Sequence, residues 1–277
     1  MTLVPGGRRP LLVVVPLLAF LALAACSSKS DAAEVVRKAP DKTIEAGSAR
    51  TALTVTFQSA GTPTNIRGEG VFDLRNRLGS LTLDLGSIGG GLGGGPVEAV
   101  VGGEGVFVKL PGAQTPGGRP WLKLSLATLS QQAGLNLGSL AQLQQSDPTQ
   151  ALTYLKGALD DVKKVGSEKQ RGEDTTHYRG TMDLRKATAS LPPDAQKGVE
   201  DAIASLGTST LPADMWIDHD GRIRKLSFST DPDGSGPAQP GTVEVELFDF
   251  GTPVDVQIPP PGEVADLGNL FGSTPPR

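Results

Sequence analysis

Apolar and polar residues alternate one by one along much of this chain, beginning near Ser48. In RTALTVTFQS (50–59), Leu53, Val55 and Phe57 point one way while Thr54, Thr56 and Gln58 point the other, as in a strand with one buried face. The same period recurs in RGEGVFDL (67–74), in GSLTLDLG (79–86) with Leu81, Leu83 and Leu85 on one side, in PVEAVV (96–101) and in GVFVKL (105–110). GGE joins the last two as a hairpin, and PWLKL (120–124) predicts a sixth strand. Further along, DVKKVGSEKQ (161–170) and DTTHYRGTMDL (174–184) predict a pair, and ADMWID (213–218) turns through HDG into RIRKLSFST (222–230). TVEVELFDF (242–250) and VDVQI (254–258) complete the series.

A helical period interrupts these strands. Ser125 caps a short helix bearing Leu126 and Leu129, and Asp147 with Pro148 starts another whose stripe is Leu152, Leu155 and Leu159, ending near Asp160. A third runs from about Pro193 to Leu206, with Val199, Ala202, Ile203 and Leu206 on one side. Val36 and Ile44 share a face in DAAEVVRKAPDKTIEAGS (31–48), where Pro40 predicts a short, broken helix. RGEGVFDLR and YRGTMDLR are faintly alike, a weak sign of two related halves.

The chain is therefore α+β. About 10–11 strands in antiparallel order form a curved sheet, and inserted amphipathic helices cover one face rather than alternating with the strands. The inward set is Leu53, Val55, Phe57, Leu81, Leu83, Leu85, Val106, Val108, Leu110, Tyr178 and Met182. A filled core and a ligand cavity share this composition, so the residues alone leave both open.

The first apolar run has a different character. Arg8 and Arg9 precede an uncharged stretch from Leu11 to Ala25, the order of a secretory signal peptide; at about 15 residues, with Pro16 inside, it is too short to span a bilayer as a helix. It ends in LAAC (23–26), which contains the chain's one cysteine and resembles the lipobox of bacterial lipoproteins. That resemblance implies cleavage after Ala25 and a diacylglycerol thioether on Cys26. The alternative is an ordinary signal peptide with a chance cysteine, and Arg8–Arg9 leave a twin-arginine route open. Two or three acyl chains hold a protein to a bilayer essentially permanently. The expected organisation is a signal peptide over 1–25, a lipidated tether over 26–30, one domain over 31–258 and a Pro/Gly-rich tail over 259–277.

Composition narrows the partners. Without its two leading arginines the chain carries a formal charge of about −6, which argues against nucleic acid and gives no grip on anionic lipid heads. With 36 glycines, 22 prolines and 4% aromatic residues, it favours a strand-rich, turn-rich body. One cysteine allows no internal disulfide.

Candidate chemistry is sparse. GSIGGGLGGGP (86–96) lacks the lysine and helix of a phosphate loop and reads as a flexible loop. Asp218 and Asp220, like Asp231 and Asp233, begin as calcium loops do but lack the closing glutamate, so they read as turns. His177 and His219 have no metal-spaced partner, and no serine sits in a nucleophile elbow. The expectation is a non-enzyme with no cofactor and no metal.

HYRGTMDL (177–184), LPADMWIDHDGRIRKLSFS (211–229) and VEVELFDFGTPVDVQIPPP (243–261), together with the lipobox, resemble the LppX/LprAFG family of mycobacterial-type lipoproteins. The resemblance implies a LolA/LolB-like fold, a strongly bent antiparallel half-barrel with helices on its concave side. It also implies a hydrophobic cavity for acyl chains of lipids or glycolipids, and carries no catalytic residues. The expected protein is a monomeric, non-catalytic lipid-binding lipoprotein on the extracytoplasmic face of the cell membrane. The alternative is the same fold with a filled core, tethered as an accessory to a transporter, sensor or other envelope protein.

Overall fold

The computed structural model describes residues 24–59, 62–85, 95–102, 105–112, 116–124, 159–188, 200, 203–204, 207–230 and 241–266. Helix α1 (Ala24–Glu45) leads into a sheet of twelve strands. They are β1 (Ser48–Ser59), β2 (Thr62–Asp73), β3 (Leu78–Asp84), β4 (Val97–Gly102), β5 (Gly105–Lys109), β6 (Trp121–Leu124), β7 (Leu159–Gln170), β8 (Glu173–Asp183), β9 (Thr210–Asp218), β10 (Ile223–Ser229), β11 (Gly241–Phe248) and β12 (Val264–Asp266). A short helix, α2 (Leu184–Thr188), follows β8.

The strand order is β12-β6-β5-β4-β3-β2-β1-β11-β10-β9-β8-β7, so two meanders meet where β1 pairs with β11. Neighbours are antiparallel except β12 and β6. Among the described residues the edge strands β12 and β7 do not pair with each other, which leaves the sheet open. Open sheets of more than about ten strands curl, because each strand twists against its neighbour. Bulges at Asp160/Lys163 and Lys164/Gly166, with Lys163, Lys164 and Lys169, blunt the β7 edge against pairing with another chain.

Close packing inside the first meander depends on missing side chains. The Phe72 ring lies over Gly79, where an added Cβ would come within 2.4 Å of it. At Gly70 a Cβ would sit 1.8 Å from the carbonyl oxygen of Ser80, and backbone cannot swing away as a side chain can. Gly70→Ala is expected to cost about 3 kcal/mol, the upper end of ordinary overpacking, measured by urea unfolding. A loss below about 1 kcal/mol would contradict this close approach.

Most of the predicted strands are present, with several differences. Among the described residues the count is twelve rather than about 10–11. Leu159 and Asp160, predicted to end a helix, open β7, where Leu159 is opposite Met182. VDVQI (254–258) forms no ladder, while Val264–Asp266, in the predicted tail, pairs in parallel with β6. Val264 and Val256 then pack with Trp121 on Val100 and Phe107, a second small core on the outer face. The helix expected to break at Pro40 runs through it, and it is already helical across the predicted tether. Its buried stripe, Ala32, Val36 and Ala39, packs against the sheet and outweighs the one backbone bond that proline removes. The predicted helix from Ser125 and residues 147–158 lie outside the described residues; of the 193–206 helix, only Glu200, Ile203 and Ala204 are described, and they are helical.

Gly47, at φ +86°, ends α1 in the left-handed conformation that glycine supplies, and its N–H bonds the carbonyl of Ile44 at 3.0 Å. Thr43 then ties the helix to β10: its hydroxyl donates to the Ala39 carbonyl at 2.7 Å and accepts the Ile223 N–H at 2.9 Å.

Candidate functional site

The strand register places one continuous apolar row across the sheet. Tyr178, Met215, Leu226, Val245, Leu53, Gly68, Leu83 and Val97 are successive partners from β8 to β4. A parallel row runs Thr51, Gly70, Leu81, Ala99, Val108 and Leu122. By the alternation of strands, Val55, Phe57, Val106 and Met182 face the same side. The inward set predicted from the sequence therefore shares one face; Leu85 and Leu110 belong to it by alternation but lie just past the ends of β3 and β5.

Helix α1 packs on this face over β7, β9 and β10. Between them lies a cavity of about 270 Å³. Ala33, Val36, Pro40 and Ile44 line it from the helix, Leu159 and Val162 from β7, Tyr178, Gly180 and Met182 from β8, Ala213 and Met215 from β9, and Ile223, Leu226 and Phe228 from β10. Burial pushes the Tyr178 phenol above its ordinary pKa. Polar groups on the helix side are Thr43, already bonded to Ala39 and Ile223, and Arg37. Arg179 and Asp214 also border the cavity, but their side chains pair with each other at 2.8 Å beside His177 on the outer face. The lining suits an apolar chain.

Of the predicted inward residues, Tyr178 and Met182 line this cavity. Leu53, Val55, Phe57, Leu81, Leu83, Leu85, Val106, Val108 and Leu110 lie on the same face beyond it, all half-buried. Cys26 lies in α1, seven residues before the cavity-lining Ala33. The glycine-rich residues 86–94 lie outside the described residues.

The outer face carries two polar clusters that local spacing did not reveal. His177, with only 6% of its side chain exposed, stacks on Trp216 with ring centres 4.3 Å apart. Its Nδ1 lies 3.0 Å from Glu168 and its Nε2 2.5 Å from Asp214. The Trp216 indole donates to Glu168 at 2.9 Å, and that bond, reinforced by the nearby His177, holds the Glu168 carboxyl below its ordinary pKa. Residues 168, 177, 214 and 216 meet only through the β7–β8–β9 register, so no sequence window contained the signal.

The second cluster is Asp218, whose side chain is fully buried. Burial raises its pKa, but the Arg222 backbone N–H and the Arg224 and Arg222 guanidiniums together hold the carboxyl below its ordinary range. Its oxygens accept from the backbone of Asp220 at 3.0 Å and of Arg222 at 2.9 Å, and from Nε of Arg222 at 2.9 Å and of Arg224 at 2.8 Å. Both guanidiniums lie 4.9 Å from the Phe250 ring. This is the hairpin turn expected from WIDHDGR, with its carboxylate fully committed to the protein. Asp231 and Asp233 lie outside the described residues.

No family model matches the chain. An uncharacterized 31.2 kDa protein from the rplA-rplJ intergenic region of Streptomyces griseus is 30% identical over 172 residues, 59% of this chain and 54% of that one. A Streptomyces coelicolor protein that bears a lipoprotein's name is 27% identical over 165 residues, 58% of this chain and 47% of its own length. The chain thus spans about half the length of the curated relatives it matches. The long open sheet, antiparallel but for one strand pair, has a solved counterpart in fold. The crystal structure of the Mycobacterium tuberculosis lipoprotein LppX superposes on 83% of this chain and 100% of its own, with a TM-score of 0.51 at 16% identity. In fold, the chain is LppX-like.

Proposed function

We propose that this chain is a non-catalytic envelope lipoprotein, anchored through Cys26 to the extracytoplasmic face of the cell membrane, that binds or carries acyl lipids or glycolipids. The observation that carries this reading is the apolar cavity between α1 and β7–β10, on the face to which the sheet turns its leucines and valines. Such a sheet, bent as a half-barrel with helices on its concave side, would bring the two meanders around one ligand.

Size bounds the ligand. A dry cavity of about 150 Å³ admits benzene, so 270 Å³ has room for roughly ten carbons of one acyl chain. Further carbons or a second chain would lie along Leu53, Leu83 and Val108, which gives the half-buried face of the first meander a role. The anchor also sets a distance: seven helical residues rise about 10 Å, so the cavity would open close to the leaflet holding Cys26. The proposed order is a removed signal peptide over 1–25, the lipidated residue, and a monomeric body.

The test is Cys26→Ala with a fluorescent acyl probe. The variant is expected to move from the membrane fraction to the soluble fraction and still bind the probe with micromolar affinity. Persistence in the membrane fraction once residues 1–25 are also removed would contradict the anchor, and absence of probe binding would contradict the ligand.

A further inference from the structure

We infer that the cavity selects amphiphiles with an anionic head, through Arg37; this rests on the lipid reading above and names the class of lipid. Ala33, Val36, Arg37, Pro40 and Ile44 recur at helical spacing and all border the cavity, so Arg37 belongs to the lining stripe of α1. Unlike buried Val36 beside it, Arg37 is exposed. An arginine in such a place lays its methylenes along the apolar wall and carries its guanidinium out to water at the rim.

Several neighbouring charges are engaged with one another, although Glu34, one turn back, also feels the Arg37 charge. Lys38 holds Glu34 at 2.6 Å, Lys42 holds Glu45 at 2.7 Å, and Arg179 holds Asp214 at 2.8 Å. Among the described residues, no hydrogen bond or ion pair takes Arg37. The guanidinium fork matches a carboxylate or phosphate with two parallel bonds. A neutral sugar hydroxyl accepts from a guanidinium one bond at a time and leaves its charge unmatched, whereas an acid matches both the fork and the charge. An apolar chain inside and a cation at the mouth together describe a ligand with an acidic end.

The experiment uses the full chain in micelles of a nonionic maltoside detergent at pH 7.5. Two photoactivatable probes, a ten-carbon fatty acid and the corresponding alcohol, are crosslinked to the cavity peptides and read by mass spectrometry. The wild type is expected to favour the acid, and Arg37→Gln to reduce the acid-to-alcohol ratio roughly fivefold, the scale of one partly exposed charge-assisted pair. Arg37→Lys should retain most of the preference. Equal ratios in the wild type and Arg37→Gln, with both probes labelling the cavity, would overturn the role of Arg37 and leave the lipid reading standing. Failure of both probes to label the cavity would overturn both.

Discussion

Asp218→Ala is expected to remove about 3–5 kcal/mol of stability and to lower the melting temperature by about 10 °C, read by urea and thermal unfolding. The variant leaves the Arg222 and Arg224 guanidiniums, 22% and 11% exposed, without their shared carboxylate. It also strips acceptors from the backbone N–H groups of Asp220 and Arg222 in the turn. Removing one partner of a buried pair costs far more than the pair contributes, because the other charge stays desolvated. The pH dependence follows the same group. A carboxyl held below its unfolded pKa of about 3.9 stabilises the fold above that pH, and the contribution disappears as pH falls through the folded value. The wild type should therefore lose stability more steeply than Asp218→Asn as acid is added below about pH 4. Equal slopes for the two proteins would show that Asp218 does not anchor the turn.

The second large effect is on binding. Ala213 points into the cavity opposite Gly180 and Phe228, and is 7% exposed. Ala213→Phe should fill the space an acyl chain would take and reduce probe binding more than tenfold. Each methylene kept in water forfeits about 0.8 kcal/mol, so losing two or three of them suffices. Filling a real void commonly raises stability, here by about 1 kcal/mol, whereas the same ring forced into a packed core would cost 1–3 kcal/mol. The sign of the stability change thus separates a cavity from a filled core independently of any ligand. Destabilisation with unchanged probe binding would place the ligand elsewhere.

The sheet was legible because one-sided strands repeat with period two and each stretch is long enough to show it. Leu53, Leu83, Val108 and Tyr178 were assigned to one face from four separate segments, and the register joins them there. Three misreadings have physical causes. Val264–Asp266 is too short for any period to show. Leu159 continued a leucine stripe at helical spacing, but pairing opposite Met182 decided its conformation. Pro40 obeyed a local rule that the packing of Val36 and Ala39 on the sheet overrode.

The cavity was legible only in part for a related reason. Composition marks which residues face inward, not which of them a helix covers, and α1 covers the second meander. The sequence weighting fell instead on the leucines of β1 and β3. The His177 cluster and the buried Asp218 lay outside any local pattern, since one is assembled across three strands and the other looks like an ordinary turn.

The central claim is that the space under α1 holds an acyl chain, and native mass spectrometry of Cys26→Ala protein purified without detergent tests it most directly. With no anchor attached, any lipid mass belongs to a ligand. The account predicts a bound species at near one-to-one stoichiometry that is lost in Ala213→Phe. Ligand-free protein from several expression hosts, with no uptake of added fatty acid, would contradict it.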